Sequence, residues 1–395
     1  MNNLKSILLC VLTITTITTY AQKDAESVYY VNSIHGDVYI DGHQVLYSLP
    51  KNSLAIELKI CRTEYVKGPY AEFAEKYLNI TSGIIDETKI TYELVDVKVD
   101  RYSHPDTSQF YAINFVGNDN LPMLQLNNDG TIIACNSKSM VKGYEYKKIK
   151  LGSEPPIEPL PFYDMGVKPF TYEEEIKSSD TTDTISAVKT ELVVSTPEEN
   201  AYQAAAFIRK IRKRRLKLIA GISDKANAVD GKALKAMVKE LDDTEKDYIE
   251  LFTGRKRQTT YKQTVTFTPS AQGTEQQIIG YLSESNGFTV KNTRRPDAAP
   301  ITIKVQPITN SPKVDIKAVE TSAKSTAIRK YGVYYRIPAT TIVTVDYNNE
   351  TQYNNTFTIA QKGIVVPLPT EYLNNQKYSI EFDAETGALK RISSN

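Results

Sequence analysis

One stretch constrains this chain more than any other. Thr196 to Gly254 is the only long helical pattern in a sequence that otherwise alternates and turns like strands. It opens with Thr196-Pro197-Glu198-Glu199. A threonine at the N-cap accepts from the amide three residues on, proline at the first helical position gives up no hydrogen bond, and Glu199 reaches back to close a capping box. Ala204, Phe207, Ile208, Ile211, Leu218 and Ile222 then recur at helical spacing, with Gly221 as the stop. A second helix follows, capped by Asp230 and striped by Leu234, Met237, Val238, Leu241, Tyr248, Ile249 and Phe252 until Gly254 ends it. Two such helices joined by a short loop make an antiparallel hairpin about 35 Å long.

Charge divides between the helices. The first carries Arg209, Lys210, Arg212, Lys213, Arg214, Arg215 and Lys217, and the second carries Glu240, Asp242, Asp243, Glu245, Asp247 and Glu250. Folded about its loop, the hairpin brings residues near Arg209 to residues near Asp242. The acidic helix then neutralises much of the basic run, each exposed pair contributing about 0 to 1 kcal/mol. The alternative reading makes the seven basic residues a patch for an anionic partner. A formal net charge of +1 speaks against nucleic acid as the main ligand.

Lys5, the apolar run Ile7 to Leu12 and Thr19-Tyr20-Ala21 before Gln22 have the form of a secretory signal over residues 1–21. Leu9 precedes Cys10 where a lipid-attachment signal wants a small residue, so lipidation is not expected. No later segment approaches the roughly 20 apolar residues of a membrane span. The mature chain is therefore expected to be exported, either soluble or in peripheral contact with a membrane. After cleavage Cys61 and Cys135 remain; an oxidising compartment allows them to pair, and two buried free thiols are the other reading. Histidine is limited to His35, His43 and His104 and no CxxC occurs, so neither a metal nor a cofactor is expected. The 26 tyrosines suit half-buried strand positions, or a face for sugar or protein.

Residues 22–151 read as a β-rich domain. Leu54, Ile56, Leu58 and Ile60 alternate; Ile90, Tyr92 and Leu94 do too, before Val95, Val97 and Val99 switch parity as at a bulge. A short helix is predicted over 69–78, and Asn127-Asn128-Asp129-Gly130 reads as a hairpin turn. Pro155, Pro156, Pro159, Pro161 and Pro169 make a stiff connector within 152–195, which ends in a strand over 185–194. The helical hairpin occupies 196–254. Strands return over 255–395 at sandwich-like spacing and end in a hairpin turning at Ala384 to Gly387. The fold class is α+β and mostly β: two antiparallel, sandwich-like β domains with the helical hairpin between them. Tyr47-Ser48-Leu49-Pro50 and Tyr335-Arg336-Ile337-Pro338 each lead into an alternating strand, and each β region closes on a glycine hairpin, which suggests an internal duplication.

Signs of catalysis are weak. Ser139-Met140-Val141-Lys142 and Ser186-Ala187-Val188-Lys189 both have Ser-x-x-Lys spacing, yet neither comes with Ser-Asp-Asn or Lys-Thr-Gly. His35 with Asp37, and Asp41 with His43, lie in turn-rich sequence where solvent exposure is expected. No catalytic residue is assigned.

Tyr47-Ser48-Leu49-Pro50, Gly68-Pro69-Tyr70, Ala74-Glu75-Lys76-Tyr77-Leu78, Leu251-Phe252-Thr253-Gly254, Tyr335-Arg336-Ile337-Pro338, Gln361-Lys362-Gly363 and Phe382-Asp383 with Thr386-Gly387-Ala388-Leu389 together resemble an uncharacterised family of Bacteroidota envelope proteins, domain of unknown function 4831. The resemblance implies a Gram-negative envelope and a two-part β architecture joined by helices, and it brings no catalytic residues. The function expected is a non-catalytic accessory or adaptor binding another envelope protein, in the periplasm or at the outer-membrane periphery. A glycan-binding surface module and a hydrolase are the alternatives.

Overall fold

The parity switch at Val95 is a register step between two long strands. In a computed structural model that describes residues 28–34, 44–116, 123–145, 149–162, 196–221, 231–290, 295–308, 332–374 and 376–395, β1 (Val28–Ile34), β2 (Gln44–Val66) and β3 (Lys89–Val116) run antiparallel. Pairing jumps from Lys59 with Asp96 to Ile60 with Leu94, which leaves Val95 as a bulge residue turned out to solvent. The 3₁₀ turn Ala71–Phe73 and α1 (Ala74–Leu78) interrupt the hairpin between β2 and β3. β4 (Leu124–Leu126) and β5 (Ile132–Cys135) follow, then α2 (Pro197–Ile219) and α3 (Gly231–Thr253). Next come β6 (Arg255–Phe267), β7 (Glu275–Ser283), β8 (Gly287–Val290), β9 (Ala298–Pro307), β10 (Tyr334–Tyr347) and β11 (Glu350–Pro367). A short α4 (Thr370–Asn374), β12 (Tyr378–Phe382) and β13 (Leu389–Ser394) complete the described elements.

The fold is α+β and mostly β, with three antiparallel sheets ordered β1-β3-β2-β6, β11-β10-β9-β7-β8 and β13-β12-β5-β4. The alternating face of β2, Leu54 to Ile60, packs on Ile303, Val305, Val343, Val345 and Ile359 of the second sheet. Burying each such side chain contributes about 1.5–3 kcal/mol. A second core gathers Tyr47, Leu49, Tyr111, Ile113, Ile132, Cys135, Ile380 and Phe382 beneath the third sheet. The two β regions of the chain thus interleave: β6 pairs with β2, and β12 pairs with β5.

The sequence echo between the regions has a structural counterpart. β2 and β3 step from Ser48 with Phe110 to Pro50 with Pro105, so the four residues Asp106 to Gln109 stand opposite Leu49. β10 and β11 step from Ile337 with Ile364 to Ala339 with Ile359, so the four residues Ala360 to Gly363 stand opposite Pro338. Each hairpin bends at its bulge and so contributes to both cores. The amide of Ser48 donates to the Gly130 carbonyl at 3.0 Å and that of Arg336 to the Gly387 carbonyl at 2.9 Å, in equivalent parallel bridges. Gly130 (φ 83°) and Gly387 (φ 70°) supply the left-handed backbone those turns require.

The two bulges are filled reciprocally. Arg336 of the second hairpin pairs with Asp106 in the bulge of the first, both side chains 4 % exposed. Asn52 of the first reaches the bulge of the second: its side chain accepts from the Ala360 amide at 2.7 Å, and its backbone exchanges bonds with Gln361 at 2.9 and 2.6 Å.

Candidate functional site

The capping box drawn from Thr196-Pro197-Glu198-Glu199 is present: the Glu199 amide donates to Thr196 Oγ1 at 3.3 Å, and the Thr196 amide to Glu199 Oε2 at 2.9 Å. α2 buries Ala201, Ala204, Ala205, Ile208 and Ile211, and α3 buries Tyr248, Leu251 and Phe252; the first four and the last three form one cluster with Tyr70 and Ala74 beside α1. Small residues on α2 let the helices and α1 approach closely. Beyond Ile211 on one helix and before Glu245 on the other, no side chain is fully buried. The distal half of the hairpin is packed only lightly.

Charge neutralisation is partial. The helices are antiparallel, but Arg215 rather than Arg209 faces Asp242, although the first helix ends before Gly221 and the second begins at Gly231, as their sequence boundaries implied. Arg215 also pairs with Glu245 at 2.6 Å, as does Arg212 at 2.6 Å. Arg209 donates to the Tyr77 carbonyl and lies over the Tyr202 ring. Lys210, Lys213, Arg214 and Lys217 are exposed and have no partner among the described residues. Their spacing puts all four on one helical face.

At the foot of the hairpin, where α3 turns at Gly254 into β6, two hollows of about 670 and 550 Å³ meet along Thr253, Gly254 and Lys256. Gly254 (φ 87°) sits against the Val66 carbonyl and Ile85, where a Cβ would come within 2.5 Å of that oxygen. The Ile85 amide donates to the Thr253 carbonyl at 2.9 Å, fastening the 83–87 loop beside the turn. Tyr65, Ile84, Ile85 and Ile249 give the trough apolar surface, while Asp86, Glu87, Lys89, Lys246 and Glu250 give it charge of both signs. Lys256 lies 5.5 Å from the Tyr65 ring centroid.

Within the described residues 149–162, the approach to the proline-rich connector and its first part, which stops short of Pro169, form a strap bound by its carbonyls. It runs antiparallel to the edge strand β6: Lys150 accepts from Thr264, Pro155 and Pro156 from Arg62, Glu158 from Arg257 and Pro161 from Arg255. Prolines cannot donate, so a segment rich in them is suited to covering an edge with acceptors alone. Glu154 accepts from Arg62 at 2.9 Å and from the Tyr92 hydroxyl at 2.8 Å; burial together with that carboxylate pushes the Tyr92 phenol up to about 12.

One pair that sequence reasoning missed has the look of catalysis. Ser53 Oγ lies 2.9 Å from His104 Nε2, whose Nδ1 is 3.1 Å from the Pro105 carbonyl, beside a hollow of about 220 Å³ lined by Ala55, Tyr102 and Lys150. The two are brought together only by the β2–β3 register, which no local pattern announces. Ser53 is 1 % exposed and its oxygen is also held at 2.6 Å by Thr268 Oγ1, so the serine hydroxyl is buried and shared between two side chains, while His104 is half-buried. Ser139, from the first Ser-x-x-Lys match, is exposed with its hydroxyl 3.4 Å from that of buried Ser137, and Lys142 is exposed too. Ser186, Lys189, His35, Asp37, Asp41 and His43 lie outside the described residues, as do the signal segment, the strand over 185–194, Ile222 and Asp230. Cys61 and Cys135 are free thiols rather than a disulfide: Cys61 lies half-buried beside Thr63, and Cys135 sits in the second core, where burial pushes its thiol up. Among the described residues no group of three or more His, Cys, Asp or Glu side chains could hold a metal, and no helix is long and apolar enough to cross a membrane.

The family model described as Domain of unknown function (DUF4831) matches residues 43–390. The chain belongs to that family. No curated protein and no solved structure matches it. The DUF4831 match spans both bent hairpins and the helices. The motifs that suggested the family gather in two places in the fold. Gly68-Pro69-Tyr70, Ala74 to Leu78 and Leu251 to Gly254 meet at the hairpin foot, where the Tyr70 amide donates to the Leu251 carbonyl at 2.9 Å and a Cβ on Gly68 would lie 2.4 Å from the same oxygen. The remaining motifs surround the crossed bulges.

Proposed function

We propose that this DUF4831 chain is a non-catalytic accessory protein of the cell envelope that binds a segment of another envelope protein along the trough at the hairpin foot. One observation carries the reading. The two adjoining hollows form an open, elongated surface that mixes apolar contact with charges of both signs, as a peptide segment requires. Serine, cysteine and histidine do not occur in the lining of either hollow. Pockets that turn over small substrates converge a few polar groups in a concave site, whereas this one spreads them along its length.

Photo-crosslinking tests the proposal. A photoreactive residue placed at Asp86 or at Lys246 is expected to give one discrete adduct with an envelope protein, and the same residue at Lys390 on β13 is expected to give none. Absence of any trough adduct, or the same adducts from all three positions, would count against it.

A further inference from the structure

The trough at the hairpin foot holds more charge than a ligand meets. Of the carboxylates that line its second hollow, Glu245 is buried and takes both Arg212 and Arg215 at 2.6 Å, Asp242 is paired with Arg215, and half-buried Glu250 is held by Arg255 at 2.5 Å. In the first hollow Glu87 lies 3.4 Å from Lys89. The backbone is closed as well: the carbonyls of Glu250, Leu251 and Thr253, at the end of α3, accept from the amides of Gly254, Tyr70 and Ile85. What remains for a ligand is Asp86 in the first hollow, Lys256 where the two hollows meet, and Lys246 in the second. All three are exposed, and none has an ion pair among the described residues. The two unpaired cations are separated along the trough from the one unpaired carboxylate. Apolar surface lies in the same hollows: Tyr65, Ile84 and Ile85 line the first with Lys256, and Ile249 lines the second with Lys246 and Lys256.

Granted that the trough binds a protein segment, we infer that the segment is acidic: an apolar side chain enters the first hollow, and carboxylates to one side of it meet Lys256 and then Lys246. Charge complementarity decides the sign. A basic segment would find Asp86 alone. An uncharged one would strip water from two ammonium groups and return no partner to either. The Tyr65 ring, 5.5 Å from the Lys256 ammonium, keeps that charge beside the apolar wall, so both features fall to the same stretch of ligand.

A photoreactive residue at Asp86 leaves both lysines in place and separates the two claims. The parent is expected to give its envelope-protein adduct, and mass spectrometry is expected to map the crosslinked stretch to a sequence with aspartate or glutamate close to a large apolar residue. Combining Lys246→Glu with Lys256→Glu is expected to cut the adduct yield about tenfold. Neither lysine has an ion pair to lose, and Lys246→Gln with Lys256→Gln serves, with a smaller drop, if the glutamate variant unfolds. A fluorescent peptide with one phenylalanine followed by two glutamates, uncharged elsewhere, is expected to bind the parent better than its two-lysine counterpart does, and the order is expected to invert in the charge-reversed variant. An undiminished adduct from that variant, a crosslinked stretch without acidic residues, or no preference between the peptides would overturn the inference and leave the trough standing as a protein-binding surface. No adduct from the parent, or one formed only with lipid or within the chain itself, would overturn both.

Discussion

Arg336 and Asp106 illustrate how single residues hold this fold. Burial pushes the Asp106 carboxyl up, but the Ser108 hydroxyl and amide and the Arg336 guanidinium together hold it below the ordinary carboxylate value. A carboxyl lowered on folding contributes stability that is complete above the unfolded value of about 3.9 and is lost as pH falls through the folded value. Replacing Arg336 with alanine leaves that buried charge uncompensated and is expected to cost about 3–5 kcal/mol. Urea unfolding of Arg336→Ala, followed from neutral pH into the acid range, should show the full loss near neutrality and a smaller deficit in acid, where Asp106 is protonated and no buried charge is left to compensate. None of this was legible in the sequence, because Arg336 and Asp106 are 230 positions apart. Asn52 and Gln361, 309 apart, were equally invisible. The turn at Asn127 to Gly130 was legible, since its geometry is set by its own residues: Asp129 Oδ1 accepts from the Thr131 amide and hydroxyl at 3.0 and 2.7 Å.

At the scale of elements, α2 shows a helix whose start is written locally and whose partners are not. Thr196→Ala removes the side-chain acceptor of the capping box and is expected to cost about 1 kcal/mol. Hydrogen exchange should then show faster exchange in the first turn of α2, with the β11 amides near the second core unchanged. Periodicity located both helices because an apolar stripe at three and four is a local pattern. It misjudged their register, placing Arg209 opposite Asp242 where Arg215 stands. Knowing where two helices end still leaves their offset open by a turn or more, because the packing of side chains between them sets it. The candidate trough was equally out of reach, since it is made by the 83–87 loop, the end of α3 and the start of β6. The basic run was legible in full as sequence, but its division into paired Arg212 and Arg215 and unpaired Lys210, Lys213, Arg214 and Lys217 needed the neighbouring helix.

Across the whole molecule, the antiparallel β character and the helical hairpin follow from the pattern of the chain, while the interleaving of its two β regions does not. Sequence spacing cannot tell a strand that closes its own sheet from one that travels to another, and both β6 and β12 travel. Removing residues 378–395 therefore reaches far from the site of the cut. It takes Ile380 and Phe382 from the core around Tyr47 and Tyr111, the Gly387 carbonyl from Arg336, and the Asn395 amide from the Asn136 carbonyl at 3.0 Å. The truncated chain is expected to lose cooperative unfolding in β2 and β3 as well, read by circular dichroism and by protease resistance of the first β region. The same interleaving bears on how the protein is made. A polypeptide that emerges amino end first must hold the partners of β12 bare through nearly the whole of its synthesis, so that side of the interior is sealed only when the last hairpin arrives.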